Sequence, residues 1–79
     1  MQYIATFFSH FGAIRFKKEM VGISHPVLGP VPRTLSSSCG TCVRFEAEEL
    51  AVGELKLSDE VEQIVRESAD GYEIIYRAK

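Results

Sequence analysis

The sequence predicts an α+β fold, a two-layer sandwich with the ferredoxin-like order βαββαβ and an antiparallel four-stranded sheet. Three observations predict it. Segments rich in β-branched and aromatic residues alternate with two segments of helical periodicity. A proline-rich stretch in the first half has the composition of an edge strand. The 79 residues have the length of one small domain, which we expect to span 1–79.

The first half of the chain predicts two strands, one helix and one edge strand. Residues 3–8 are apolar and aromatic, as in a strand, and Ser9 can cap a helix over 10–21. The apolar side chains of that helix share one arc: Ala13, Ile14, Phe16, Met20 and Val21. Residues 26–32 contain three prolines, which force an extended path and exclude a central strand. Residues 41–45 alternate in the manner of a strand.

The second half predicts a second helix and a closing strand. Residues 46–57 fit either a helical turn or an extra strand. Ser58 follows as a helix cap, with acidic residues in the first turn, where the helix dipole favours them. An apolar stripe marks the buried side of this helix: Leu57, Val61, Ile64, Val65 and Ala69. Asp70 and Gly71 predict a turn, and residues 72–77 predict a strand.

Composition and charge exclude several classes of function. The formal net charge is -2, which gives no basic excess for nucleic acid or an anionic membrane. No apolar run approaches the roughly 20 residues of a membrane helix. The apolar residues 1–8 lack the basic region of a signal peptide, so we expect a cytoplasmic protein whose thiols stay reduced. Small size and an apolar sheet face predict a homodimer.

The loop before Thr41 is the candidate functional site. Cys39 and Cys42 form a CxxC pattern, and a thiolate in such a loop can attack a substrate or carry a sulfur atom. Serine hydroxyls and backbone N–H groups around the first cysteine suit an anion. The residues expected to hold that anion are Arg33, Ser36, Ser37, Ser38 and Gly40. Cys39 is therefore the candidate nucleophile, and Cys42 is its candidate partner.

Three other interpretations of the cysteines remain open. A CxxC pair can close a redox disulfide, although a thioredoxin-type site needs a helix where this sequence predicts a strand. Two histidines, His10 and His25, complete a set of four zinc ligands, but the spacing matches no common zinc pattern, and we predict no metal or cofactor. The thiols can also be inert apolar groups, which suits Cys42 on a strand better than Cys39 in a loop.

Three short stretches resemble the signature of a known family. Pro-Val-Pro-Arg at 30–33, Ser-Ser-Ser-Cys-Gly at 36–40 and Arg-Phe at 44–45 are similar to the putative selenium/sulfur carrier protein-like family of small bacterial proteins. The family also opens with a strand that leads into a helix, as residues 3–13 do here. This chain departs from the pattern at Cys42, where the family has an apolar or small residue.

The resemblance implies a sulfur or selenium carrier. Cys39 matches the family's candidate carrier cysteine, and it would hold a persulfide or perselenide that Cys42 resolves. Arg33, Ser38 and Gly40 match the surroundings of that cysteine. Sulfur or selenium donor and acceptor proteins would then be the partners. The alternative is a small non-catalytic interaction or regulatory module, with or without a dithiol redox switch, whose apolar sheet face and proline edge bind a partner.

Overall fold

The structure is a computed structural model that describes residues 1–35, 37–48 and 57–78. In chain order the elements are β1 (Gln2–Phe7), α1 (His10–Glu19), β2 (Ser24–Pro30), β3 (Thr41–Glu46), β4 (Val61–Ser68) and β5 (Gly71–Arg77). The strands of this part of the chain form one sheet in the order β2-β3-β1-β4-β5. Each strand is antiparallel to its neighbours.

Strand β1 lies at the centre of the sheet, and both of its faces are buried. Tyr3, Ala5 and Phe7 are buried on one face. Ile4 and Thr6 alternate with them and are buried on the other. A strand without a solvent-facing side needs a covering layer on each face of the sheet. The predicted first strand is confirmed.

Helix α1 covers one face of the sheet and begins at the predicted cap. The Ser9 hydroxyl accepts a hydrogen bond from the Gly12 N–H at 3.1 Å, which satisfies one of the free donors of the first turn. Phe16 packs edge-on against Phe7, with ring centroids 5.2 Å apart. The helix predicted over 10–21 is confirmed, although it ends two residues earlier.

Two hydrophobic clusters lie on the two faces of the sheet. The helix-side cluster lies beneath α1: Tyr3, Ala5, Phe7, Ala13, Phe16, Val43, Phe45, Val61 and Ile64. The loop-side cluster on the other face consists of Ile4, Cys42 and Val65, with Val31, Leu35 and Tyr72 packed against it. The pleat of β3 separates neighbouring residues, since Val43 joins the first cluster and Cys42 joins the second.

Strand β2 is an edge strand, as the prolines predict. Strands β1 and β2 both run antiparallel to β3, which lies between them, so they are parallel to each other. Helix α1 therefore crosses over β3 to connect them. This part of the split βαβ arrangement agrees with the sequence prediction, and it brings the loop after β2 back to the end of β1.

The ferredoxin-like prediction is wrong in the second half of the chain. The predicted second helix is strand β4, so the described part of the chain contains five strands and one helix instead of four strands and two helices. The Ser58 hydroxyl does accept a hydrogen bond from the Glu60 N–H at 3.3 Å, but the turn that it stabilises leads into a strand.

A β-bulge explains why this strand has the hydrophobic spacing of a helix. The register with β1 skips Glu62 between the residues that pair with Thr6 and Phe7. Because of the skip, Val61 and Ile64 lie in the same cluster although they are three residues apart. In a regular strand such residues face opposite sides, whereas in a helix they share a face. The extra residue therefore accounts for the Val61–Ile64 part of the spacing that predicted the helix, whereas Val65 lies in the cluster on the other face.

A two-residue turn joins β4 to β5 and makes β5 the second edge of the sheet. Ser68 pairs with Gly71 across the turn, and Gly71 has a φ of 130°, which is accessible mainly to glycine. The predicted turn and closing strand are confirmed. The two alternatives for residues 46–57 fall mostly on 49–56, outside the described residues.

Candidate functional site

The loop that carries Cys39 connects β2 to β3 and lies against the end of β1. Its two ends are tied together, since the Val31 N–H donates to the Gly40 carbonyl oxygen at 3.1 Å. The Ser37 hydroxyl donates to the Phe7 carbonyl oxygen at 3.4 Å, which attaches the loop to the last residue of the central strand. These two hydrogen bonds hold the loop against the end of the central strand.

Cys39 is half-buried near the end of this loop, two residues before β3 and beside the helix-side cluster. Its thiol donates a hydrogen bond to the Thr41 carbonyl oxygen at 3.6 Å. Gly40 has a φ of 76°, in the left-handed region, and this conformation turns the chain from the cysteine into β3. The side chain is thus supported on one side and accessible on the other, as a thiol that exchanges with other molecules requires.

Ser38 donates two hydrogen bonds to one carboxylate, that of Glu62. The backbone N–H lies 3.1 Å from Oε1 and the hydroxyl lies 2.8 Å from Oε2. The Thr6 hydroxyl donates to Oε1 at 3.3 Å. One of the residues predicted to hold an anion, Ser38, therefore binds a carboxylate of the protein itself in this conformation.

His10, the first residue of α1, contacts Thr41 at the start of β3. Its Nδ1 lies 3.0 Å from the Thr41 hydroxyl. Thr41 therefore contacts His10 through its side chain and Cys39 through its carbonyl oxygen. The imidazole and the thiol consequently lie close to the same residue of β3.

Two residues of this site, Glu62 and His10, are not among the site residues that the sequence predicts. The sequence predicts Glu62 in the first turn of a helix, and it offers His10 as the first residue of a helix or as a zinc ligand. A signal for His10 existed, because a strand followed at once by a capped helix places the first helical residue at the carboxyl end of the central strand. No local signal identified Glu62, because its position depends on the bulge.

Cys42 has a different environment from Cys39. It is fully buried in the loop-side cluster, and its thiol donates to the Pro30 carbonyl oxygen at 3.4 Å. Burial raises the pKa of the Cys42 thiol, and Arg44 lowers it to a smaller extent. Both cysteines are free thiols. No disulfide joins them, and their side chains contact clusters on opposite faces of the sheet, although Cys39 is close enough to contribute to raising the pKa of the Cys42 thiol.

The remaining predicted site residues are only partly gathered. Arg33 lies in the turn of the same loop, exposed and without an ion pair to any residue that the structure describes. Ser36 lies outside the described residues. His25 is bound to Glu46 at 3.1 Å, near the other end of β3. In 1–35, 37–48 and 57–78, no three metal-ligating side chains are grouped to hold an ion.

The arrangement therefore provides one accessible thiol on a loop that is fixed at both ends. Backbone and hydroxyl donors precede the thiol, an imidazole lies on its helix side, and a carboxylate holds the residue before it. Such a site can accept and release a small group by thiol exchange. Redox closure with Cys42 would require one of the two side chains to leave its face of the sheet.

Comparisons with known proteins agree with the sequence resemblance. A family model described as "putative Se/S carrier protein-like" matches residues 2–77, nearly the whole chain. No curated protein and no solved structure matches. In the part of the chain that the structure describes, no helix is long and apolar enough to cross a membrane.

Proposed function

Because the chain belongs to the family described as putative Se/S carrier protein-like, we propose that it carries a sulfur or selenium atom on Cys39. The observation that supports this role most directly is the contrast between its two cysteines. Cys39 is partly accessible on an anchored loop, whereas Cys42 is fully buried in the sheet. A carrier needs a thiol that two different proteins can reach in turn.

The loading step is a thiol exchange on a donor persulfide. The Cys39 thiolate attacks the outer sulfur of the donor R–S–SH, so that a Sγ–S bond forms as the S–S bond of the donor breaks. The bonding electron pair leaves with the donor sulfur as R–S⁻, and Cys39 becomes a persulfide. No net oxidation occurs. The reverse exchange delivers the outer atom to an acceptor, and a perselenide follows the same steps.

The residues around Cys39 favour the anionic forms in this exchange. Arg33 contributes a positive charge from the same loop, and its guanidinium is not occupied by a described carboxylate. Ser37, Ser38 and Gly40 lie within two residues of Cys39 in the same loop; Ser38 already binds Glu62 in this conformation, so it contributes by fixing the loop and not by binding the anion directly. Ser36 is assigned to the same group from its sequence position alone.

In this proposal the carried atom passes directly to the acceptor protein. A resolving role for Cys42 would need its thiol to meet the Cys39 persulfide, and the two side chains lie on different faces. The partners are sulfur or selenium donor and acceptor proteins in the cytoplasm. A homodimer stays a prediction, which light scattering of the purified protein tests.

Mass spectrometry after loading tests the carrier role. The reduced protein is incubated with a cysteine desulfurase and cysteine, and intact mass and peptide mapping follow. We expect the mass of one added sulfur on Cys39, no adduct in Cys39→Ser, and normal loading in the matched control Cys42→Ala. If wild-type protein gains no sulfur, or gains it equally on both cysteines, the proposal is wrong. The interaction-module alternative is favoured if Cys39→Ser retains partner binding and cellular function.

A further inference from the structure

We propose that Glu62 is a positioning residue for Cys39, which it holds in place through Ser38. This inference rests on the proposed carrier function of Cys39 and adds a residue to it. Its basis is the pair of hydrogen bonds from Ser38 to the Glu62 carboxylate, at 3.1 Å from the backbone N–H and 2.8 Å from the hydroxyl. Bonds to an ionised acceptor are stronger than those between neutral groups.

The bulge in β4 is the reason why Glu62 can reach the loop. Glu62 is the residue that has no partner in β1, because the register passes from Gln63 opposite Thr6 to Val61 opposite Phe7. A bulged residue is freed from the alternation of the strand, and bulges commonly redirect a side chain near a functional site. Without the extra residue, this carboxylate would be committed to one face of the sheet.

Three donors converge on the same carboxylate, and they come from different parts of the chain. Thr6 donates from the central strand at 3.3 Å, and Ser38 donates twice from the loop. Glu62 therefore links β1, β4 and the loop at one point. Ser37 adds a separate bond from its hydroxyl to the Phe7 carbonyl oxygen. The residue before Cys39 is thus fixed by contacts that do not involve the thiol.

The occupancy of the Ser38 donors has a consequence for the carrier site. Since both donors already bind Glu62, they are committed to holding the loop rather than to the incoming sulfur anion. Fixing Ser38 also fixes the backbone from which the Cys39 side chain extends. Exchange requires the Cys39 sulfur to align with the two sulfur atoms of the donor persulfide. Loss of Glu62 should therefore lower the rate of sulfur transfer from a donor protein more than it changes the accessibility of the Cys39 thiol.

The test compares Glu62→Ala with Glu67→Ala, a matched control on the same strand. The Glu67 carboxylate is paired with the Arg44 guanidinium at 2.7 Å instead of with Ser38. Hydrogen exchange of the Ser38 amide, followed by NMR, reports on its hydrogen bond to the Glu62 carboxylate. We expect Glu62→Ala to speed this exchange by at least about tenfold, since a bond to a charged acceptor is lost. We expect the control to leave it within about twofold.

A second measurement separates positioning from a merely structural role. Glu62→Ala should slow the transfer of sulfur from a persulfide donor to Cys39 by about tenfold, while alkylation of Cys39 by iodoacetamide is unchanged or faster. Glu62→Gln should restore part of the transfer rate, because its amide oxygen still accepts one bond from Ser38. In Ser38→Ala the effect of Glu62→Ala should be reduced, as expected for residues that act together.

Several results would overturn the inference. Unchanged Ser38 exchange in a folded Glu62→Ala protein shows that the carboxylate does not hold the loop. Equal slowing of transfer and alkylation shows a general loss of the loop instead of positioning. Failure of the wild-type protein to accept sulfur refutes the carrier function, whereas the exchange measurement still decides whether Glu62 fixes Ser38.

Discussion

Cys39 and Cys42 are three positions apart, yet their side chains contact hydrophobic clusters on opposite faces of the sheet. Cys39 packs against the helix-side cluster, and Cys42 forms part of the loop-side cluster with Ile4 and Val65. Their thiols donate to different carbonyl oxygens, those of Thr41 and Pro30. The two thiols of the CxxC pattern are therefore not bonded to each other in this conformation.

The first prediction concerns the reactivity of the two thiols. Under native conditions, iodoacetamide should modify Cys42 at least about 100-fold more slowly than Cys39, since the former reacts only after an opening that costs about 3 kcal/mol or more. Peptide mapping at several reaction times measures both rates. Urea should make the two rates similar.

The same arrangement predicts the outcome of mild oxidation. A disulfide requires side chains that point toward each other, so oxidised glutathione should modify Cys39 without closing a Cys39–Cys42 bond. The Cys42→Ala variant, which retains Cys39, is the control for the mixed disulfide. A rapid internal disulfide in the folded wild-type protein would contradict the structure and would support the dithiol switch.

The second prediction concerns stability at alkaline pH. Burial raises the pKa of the Cys42 thiol, so the folded protein keeps this proton at pH values where the unfolded chain has lost it. The stabilisation is complete below the unfolded pKa of about 8.5 and is lost as pH rises above it, by up to about 1.4 kcal/mol per pH unit.

Urea unfolding of wild type and Cys42→Ala between neutral and alkaline pH measures this effect. Other titrating groups are common to both proteins, so their contributions cancel in the difference. The wild-type protein should lose more stability than the variant above the unfolded pKa. Parallel curves would show that the thiol titrates equally in both states.

The first half of the fold could be predicted from sequence because its signals are local. Ser9 caps α1 through a bond three residues away, and the prolines of β2 exclude a central position. The second half could not, because its hydrophobic spacing depends on a bulge that β4 forms with β1. The β-branched residues Val61, Ile64 and Val65 favour a strand, but their spacing matches a helix.

The candidate site could likewise be predicted only in its local part, the segment around Cys39. Cys39 and its serine loop were identified from residue types in one short segment. The contact of Ser38 with Glu62 joins residues 24 positions apart, and that of His10 with Thr41 joins residues 31 positions apart. Such contacts depend on strand order and register. The sequence could not predict them correctly, because it predicted a helix where β4 lies. The pleat of β3 places Cys42 on the loop-side face, whereas Cys39 precedes this strand in the loop.

The third prediction is that Gly12→Ala destabilises the protein although alanine favours helices. A Cβ atom at this position would lie 2.5 Å from the Glu60 Cβ, so the start of α1 must move away from the segment before β4. We expect a loss of about 1–3 kcal/mol, larger than the gain of about 1 kcal/mol in helix propensity. Urea unfolding measures it.

Lys18→Ala is the matched control for Gly12→Ala. Lys18 lies in the same helix and is exposed, so its replacement should change stability by no more than about 0.5 kcal/mol. A stabilised Gly12→Ala protein would show that α1 and the segment at Glu60 are not in close contact, and it would remove the steric reason for glycine there.

The last prediction concerns the glycine that follows Cys39. Gly40 has a φ of 76°, and a Cβ atom placed there would meet nothing within 4 Å. The cost of Gly40→Ala is therefore backbone strain alone, about 1–2 kcal/mol by the usual penalty for the left-handed region. Gly40→Asn should cost less, because asparagine tolerates this conformation better.

Gly29→Ala separates strain from the general effect of replacing glycine. Gly29 also has open space around its Cα, but it lies in β2 without a positive φ, so its replacement should be neutral or stabilise by up to about 1 kcal/mol. If Gly40→Ala were as stable as Gly29→Ala, residue 40 would not adopt the left-handed turn. The Val31–Gly40 bond that closes the loop would then have another geometry, and the exposure of Cys39 would need another explanation.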